Sequence, residues 1–175
     1  MVEIKKIFIS LSLPIIGLII IPYLLLILID KQPLIPILND NIFLLTIGFI
    51  VLLMGLILSI DCIILFFKIG KGTLMPASSM HTKKLVISGP YRYVRNPMIL
   101  GVITTQIGEA LIFNSISVFI YALVFLLLNI LYMNFAEKKG LIERFGENYI
   151  HYKENVRGWI PHFKPYSQDS NNLNE

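Results

Sequence analysis

The chain has a single cysteine, Cys62, and few charged residues, which make up 15% of its 175 residues. A soluble domain has about 25% charged residues, so an ordinary soluble globule is excluded as the expected class. One cysteine excludes a disulfide framework and a zinc site built from cysteines. The three histidines (His81, His151 and His162) have no metal-ligand spacing, so no metal site is predicted.

Apolar residues are correspondingly abundant. They make up 55% of the chain, and the mean hydropathy is +0.73. This composition excludes a disordered protein, because such proteins have too little apolar surface to bury. The length is that of one domain. The sequence therefore indicates a small membrane protein.

Four apolar stretches predict transmembrane helices, since a crossing takes about 20 mostly apolar residues. They are 7–29, 42–67, 98–113 and 116–135. Only Asn114 and Ser115 separate the last two, which predicts a tight antiparallel hairpin. The expected fold is an all-α integral membrane protein with four transmembrane helices and a C-terminal amphipathic segment. We divide it into two N-terminal helices (1–67), a core (68–166) and a disordered tail (167–175).

The basic residues support an even number of spans. Four spans place the N-terminus, residues 68–97 and residues 136–175 on one side, and fourteen of the fifteen Lys and Arg residues lie there. Lys31 is the exception. Because cytoplasmic loops are enriched in Lys and Arg, this side is predicted to be cytoplasmic, with both termini on it. Membrane lipids account for the net charge of +4, and no nucleic-acid partner is expected.

The segment 89–98, GPYRYVRNPM, precedes the third span and has a specific order of turn residues. Gly89-Pro90 predicts a turn, and Pro97 suits the first position of a helix. These two features hold Arg95 and Asn96 at a helix N-terminus, which is a good site for a carboxylate or phosphate. The alternative is an aromatic belt with snorkelling basic side chains.

The fourth span runs into Glu137 and the stretch AEKKGLIERFGENYIHY (136–152). Its apolar residues repeat on one helical face, at Leu141, Phe145, Tyr149 and Tyr152. This face predicts an amphipathic helix on the membrane, a lid over a site, or both. The hairpin brings Glu137 back to the side of Arg95. The two charges are expected either to pair with each other or to bind the two charged groups of a zwitterionic ligand.

Polar and small residues inside the spans form a third pattern. Glu109 is the strongest intramembrane candidate for a functional role. Small residues form one stripe on span two and another on span three, which predict close helix packing and would set the width of a lipid-substrate groove. The stripes comprise Gly48, Gly55 and Ser59 on span two, and Gly101, Thr104, Thr105 and Gly108 on span three.

Residues 68–166 resemble the isoprenylcysteine carboxyl methyltransferase family, and more loosely the related phospholipid N-methyltransferases. The resemblance rests on GPYRYVRNPM, the helical hairpin, the pattern E(x3)L(x3)FG(x2)Y(x2)Y, and a proline shortly after Trp159. It implies an integral membrane methyltransferase that uses S-adenosylmethionine (SAM), bound at the cytoplasmic end of the hairpin under the C-terminal segment.

The resemblance also implies which residues bind the cofactor. Arg95 and Glu137 would additionally be the catalytic pair. Lys83 and Asn96 stand where the family usually has histidine, Lys138 replaces a second acid, and Met133 replaces an arginine that serves a prenylcysteine carboxylate. The implied cofactor-binding residues are Lys83, Leu85, Val86, Gly89, Tyr91, Arg95, Asn96, Pro97 and Glu137.

Three functions remain open from the sequence. The first is a SAM-dependent methyltransferase acting on the carboxyl, thiol or amine group of a lipid-like or hydrophobic substrate from the bilayer. The second is a membrane reductase of the sterol type with a nicotinamide cofactor, whose fold resembles this family's. The third is a non-enzymatic membrane protein that retains the fold.

The topology can be tested by cysteine-accessibility labelling in a Cys62→Ser background. With both termini and the 68–97 loop cytoplasmic, a cysteine at position 80 should stay unlabelled by an impermeant maleimide in intact cells and become labelled after permeabilisation. A cysteine at position 31 is the matched control and should be labelled without permeabilisation. Labelling of position 80 from outside would contradict the four-span arrangement.

Overall fold

The computed structural model describes residues 15–33, 38–70 and 85–167. These ranges contain helices and no strand, as the sequence predicts. The helices are α1 (Ile16–Leu28), α2 (Ile42–Leu65), α3 (Pro97–Ile112), α4 (Ile116–Tyr132) and α5 (Lys138–Asn155). Three short π-helical turns begin α1, extend α2 and join α4 to α5, at Ile16–Ile20, Phe66–Gly70 and Met133–Glu137. A 3-10 turn at Gly89–Arg92 precedes α3.

Two helical stretches, Ile42–Ile69 and Ile116–Phe135, are long and apolar enough to cross a membrane. Ile16–Leu28 and Pro97–Ile112 are apolar but shorter. Residues 7–14 of the predicted first span lie outside the described residues. The 16 residues of α3 rise about 24 Å, short of the roughly 30 Å of a bilayer core. Each predicted span thus contains a helix, and the four-span arrangement remains a prediction.

Helices α2 and α3 pack with their backbones in direct contact. A Cβ atom on Gly55 would lie 2.4 Å from the Thr105 backbone nitrogen, and one on Gly108 would lie 2.5 Å from that of Leu52. The close packing predicted from the two small-residue stripes is therefore confirmed. The touching backbones leave no room for a lipid between α2 and α3 at these glycines, and the predicted lipid-substrate groove remains a prediction.

The polar turn between α3 and α4 is bound to the end of α1. Asp30 accepts hydrogen bonds from the hydroxyls of Ser115 (2.5 Å) and Ser117 (2.9 Å). Ser115 also caps α4, since its hydroxyl oxygen accepts from the Val118 backbone N–H. Asn114 takes a left-handed conformation with φ 49°, which lets the chain reverse within three residues. The predicted hairpin is present, with Phe113 as an additional residue in the link.

The last carbonyls of α3 receive donors from the segment between α1 and α2. Asn39 donates its backbone N–H to the Ile112 oxygen at 2.7 Å and its side-chain amide to the Leu111 oxygen at 3.2 Å. Gln32 donates to the Phe113 oxygen at 3.1 Å. These bonds satisfy carbonyls that a helix C-terminus leaves without partners.

The predicted amphipathic face of α5 packs against the protein itself. Tyr149 and Tyr152 are buried together with Val156, and Leu85 and Ile87 from the loop before α3 pack against them. Gly146, with φ 53° and ψ −135°, breaks the helix, which the sequence pattern did not predict. Residues 168–175 of the predicted tail lie outside the described residues.

The α2–α3 contact predicts the effect of a single methyl group. Gly55→Ala should lower the free energy of unfolding by about 1–3 kcal/mol, because two of the three nearest atoms, Thr105 N and Gly101 O, are backbone and cannot move aside. Gly140→Ala on α5 is the matched control, since a Cβ there meets nothing within 4 Å. That substitution should leave stability unchanged or raise it. Thermal unfolding of the purified proteins in one detergent measures both, and a Gly55→Ala protein that melts like wild type would contradict the packing.

Candidate active site

The loop before α3 is attached to the end of α2 by a buried tyrosine. Tyr91 is only 6% exposed and clusters with Val86 and Cys62. Its ring also lies 5.7 Å from the Phe66 ring, between centroids. Gly89 adopts φ 55°, a conformation that favours glycine, where the chain turns into the 3-10 turn. This core fixes the position at which α3 begins.

Pro97 is the first residue of α3, as the sequence predicts, and it is fully buried. Asn96 occupies the cap position, but its side chain makes no capping hydrogen bond to the helix. The amide instead donates to the Gly158 carbonyl oxygen at 3.1 Å. The N-terminal turn of α3 therefore has no side-chain cap from Asn96, and its partial positive charge is available to an anion.

Residues 157–166, here called the C-terminal strap, run back along residues 92–96. The Arg95 N–H donates to the Arg157 oxygen at 2.9 Å, and the Asn96 N–H donates to the Gly158 oxygen at 3.3 Å. In the other direction, the N–H groups of residues 162 and 166 donate to the carbonyls of residues 93 and 92, both at 2.8 Å. Four backbone hydrogen bonds thus hold the strap over the start of α3.

Side chains reinforce the strap at two points. The ring of His162 accepts the Arg157 backbone N–H through Nε2 at 3.1 Å, which closes the turn between them. Arg92 donates through Nε to the Tyr166 carbonyl oxygen at 2.7 Å, and the Tyr166 hydroxyl lies 2.8 Å from His151 Nδ1. The strap is therefore tied both to the loop and to α5.

Arg95 lies beneath this strap. Its Nε atom is buried and has no hydrogen-bond partner within the described ranges. The guanidinium fits against Gly158, where a Cβ atom would lie 3.2 Å from Nη2. A buried donor without an acceptor costs free energy, so this guanidinium is suited to a ligand that supplies an anionic oxygen.

Tyr152 supports the same region from α5. Its hydroxyl donates to the Tyr91 carbonyl oxygen at 2.5 Å. Burial raises the pKa of Tyr152 above its ordinary value, while the nearby charge of Arg95 acts in the opposite direction. The hydroxyl therefore stays protonated at neutral pH and remains a donor to the loop.

The structure gathers most of the predicted site residues on one segment. Leu85, Val86, Gly89, Tyr91, Arg95, Asn96 and Pro97 all lie between the end of α2 and the first turn of α3. Lys83 lies outside the described residues. The backbone of Glu137 ends the π-helical turn before α5, and its side chain is outside the described part. The approach of Glu137 to Arg95 therefore remains a prediction.

Sequence reasoning missed the residues of the strap as members of the site. Gly158 and His162 hold the backbone of residues 93–96 in place, and the Tyr152 hydroxyl binds the same loop. The available signal was the segment RGWIPH (157–162), of which only the tryptophan and the proline entered the predicted motif. A glycine before a Trp-x-Pro turn indicates a close backbone approach, but not to which segment.

One comparison with known protein families gives a match to this chain. The family model described as phospholipid methyltransferase matches residues 43–148, which is more than half of the chain and covers α2, the Arg95 loop and the hairpin. No curated protein and no solved structure matches the chain. The resemblance read from the sequence is therefore confirmed at the level of this broader family, and the chain belongs to the phospholipid methyltransferase family.

Proposed function

We propose that the protein is an integral membrane methyltransferase that uses SAM and acts on a lipid-like or hydrophobic substrate from the bilayer. The observation that carries this proposal is Arg95, whose buried Nε has no partner among the described residues, just before the N-terminus of α3, where the Asn96 side chain makes no capping bond. Membership of the phospholipid methyltransferase family supports the reaction class over a nicotinamide-dependent reductase. The proposed topology has four spans with both termini in the cytoplasm.

The residues at the start of α3 fit the chemical groups of SAM. Arg95 and the first turn of α3 would hold its carboxylate, and Glu137 would hold its ammonium group. Val86 and Tyr91 are committed to the buried cluster with Cys62, whereas Tyr93 is 39% exposed. Tyr93 and Leu85 are therefore better placed than Tyr91 and Val86 to contact the adenine.

When bound, SAM would supply an electrophilic methyl group, and the protein would supply alignment and exclusion of water. Methyl transfer is an in-line displacement, so its rate depends mainly on how the two reactants are positioned. The strap and α5 enclose the Arg95 loop and shield that end of α3 from water. A carboxylate or thiolate acceptor needs no general base, whereas an amine or a thiol must first lose a proton.

Removing the Arg95 guanidinium should weaken cofactor binding without unfolding the protein. The loss of one charge-assisted hydrogen bond costs roughly 1.5–3 kcal/mol, which is about tenfold or more in affinity. Calorimetry with S-adenosylhomocysteine measures the effect on Arg95→Ala. Arg144→Ala is the matched control, because Arg144 is exposed and, among the described residues, its contacts are with Gly140 and Phe145 of its own helix α5.

The same variants test the reaction itself. Membranes with wild-type protein should transfer the label from methyl-labelled SAM to a component of a lipid extract, detected by mass spectrometry, and the Arg95→Ala membranes should do so much less. A folded Arg95→Ala protein with wild-type affinity for S-adenosylhomocysteine would contradict the assigned role. A folded wild type that binds neither SAM nor S-adenosylhomocysteine would instead favour a non-enzymatic protein that kept the fold.

Exchanging the two predicted cofactor-binding charges separates an ion pair from a binding site. The double variant Arg95→Glu with Glu137→Arg should recover stability at most, because each group would face the wrong charge of the cofactor. The α3 dipole would also disfavour the cofactor's ammonium group beside the new acid at position 95. Lys138→Glu, which adds the acid usual in the family, should leave binding intact or improve it. Recovery of cofactor binding in the double variant would show that the two residues act only as a pair.

A further inference from the structure

A second polar cluster lies between α1, α3 and α4. Gln106 has no solvent exposure and donates through Nε2 to the Gly17 carbonyl oxygen at 3.2 Å. The Tyr121 hydroxyl donates to the same oxygen, also at 3.2 Å. The Gly17 oxygen has no donor from the described part of its own helix. In the π-helical turn the Ile21 N–H donates to the Ile16 oxygen, and the residue that would donate to Gly17 in the same register is Pro22, which has no N–H group.

Two acceptor oxygens in this cluster have no donor. Gln106 Oε1 and Glu109 Oε2 are both buried, and neither has a hydrogen-bond partner in the part of the chain that the structure describes. The two residues are three positions apart on α3, so their side chains are neighbours on one face.

The hydrogen-bonding capacity of the cluster determines what it can accept. Tyr121 uses its only proton on Gly17, and Gln106 uses one of its N–H groups there. The two buried oxygens without a donor are acceptors, and a Glu109 carboxylate at this position would be stabilised by a positive charge. A primary ammonium group supplies three donors and a positive charge, whereas a hydroxyl supplies one donor and a quaternary ammonium none.

The surroundings of the cluster restrict the rest of the ligand. Helices α1, α3 and α4 contain no Lys or Arg, so nothing on them would neutralise a phosphate group. One turn from Gly17 and Tyr121, the side chains of Ile20 on α1 and Val124 on α4 are exposed and apolar. The ligand that fits is therefore a hydrophobic amine without a phosphate.

The cluster is separate from the Arg95 site. Gln106 and Glu109 lie nine and twelve residues after Pro97, which places them about 14 and 18 Å along α3 from its N-terminus.

We propose that Gln106 Oε1 and Glu109 Oε2 bind the ammonium group of a hydrophobic primary amine held between α1, α3 and α4. This site does not depend on the proposed methyltransferase reaction.

Binding of three probes with the same alkyl chain tests the proposal on the wild-type protein. Dodecylamine, dodecyltrimethylammonium and dodecanol are compared by equilibrium binding to the purified full-length chain in a nonionic detergent. Dodecylamine should bind at least about tenfold more tightly than either of the others, because only it offers charged N–H donors. Equal affinities for all three probes would overturn the proposal. Equally tight binding of a primary-amine lysophospholipid would overturn the phosphate-free ligand class.

Variants then assign the binding to the cluster. Glu109→Gln keeps the shape and removes the charge, and Gln106→Leu removes the second acceptor. Both should lose about tenfold or more in dodecylamine affinity. Glu143→Gln on the exposed face of α5 is the matched control and should bind dodecylamine like wild type.

Binding of S-adenosylhomocysteine to the same variants separates this site from the Arg95 site. It should be unchanged in Glu109→Gln, so a failure of one proposal is distinguishable from a failure of the other. A folded Glu109→Gln or Gln106→Leu protein with wild-type dodecylamine affinity would overturn the assignment. If neither variant folds, the comparison of the probes on wild type still decides.

Discussion

The direct contact between the backbones of α2 and α3 is the constraint on which the rest of the fold depends. Glycine at positions 55 and 108 lets the two helices approach until only backbone atoms separate them. In a membrane, where apolar side chains gain little by leaving lipid, such close packing is a main source of helix association. It fixes the depth and direction of α3, and thereby the position of the helix N-terminus that carries Arg95.

The strap solves a problem that this arrangement creates. Residues 92–96 connect the buried Tyr91 to α3 and contain backbone groups that no helix or sheet satisfies. Backbone atoms of the strap pair with them, and Asn96 and Arg92 add side-chain bonds to the strap. Because the strap satisfies the backbone of the loop, the Arg95 side chain is not needed for that purpose, and its Nε has no partner among the described residues.

Much of this fold and candidate site could be predicted from the sequence. The features that could not be predicted were missed for physical reasons. Apolar runs and proline positions located the helices to within a few residues, because hydropathy and the missing proline N–H act locally. The small-residue stripes identified the α2–α3 packing, but a pattern of small residues does not show how closely two helices approach. The left-handed Gly146 and the pairing of the strap with residues 92–96 depend on tertiary contacts, which a single sequence does not display. Arg95 was found because its flanking turn residues are local, whereas the Gln106 cluster depends on a carbonyl of α1 that only the folded chain brings near.

The strap also gives the protein an order of assembly. Residues 157–166 are synthesised after all five helices, yet they supply the partners of the loop that precedes α3. During synthesis, that loop is without its strap partners while the hairpin and α5 are made. The surroundings of Arg95 are therefore completed only after the last helix has been synthesised, so an incomplete chain would lack the finished arrangement.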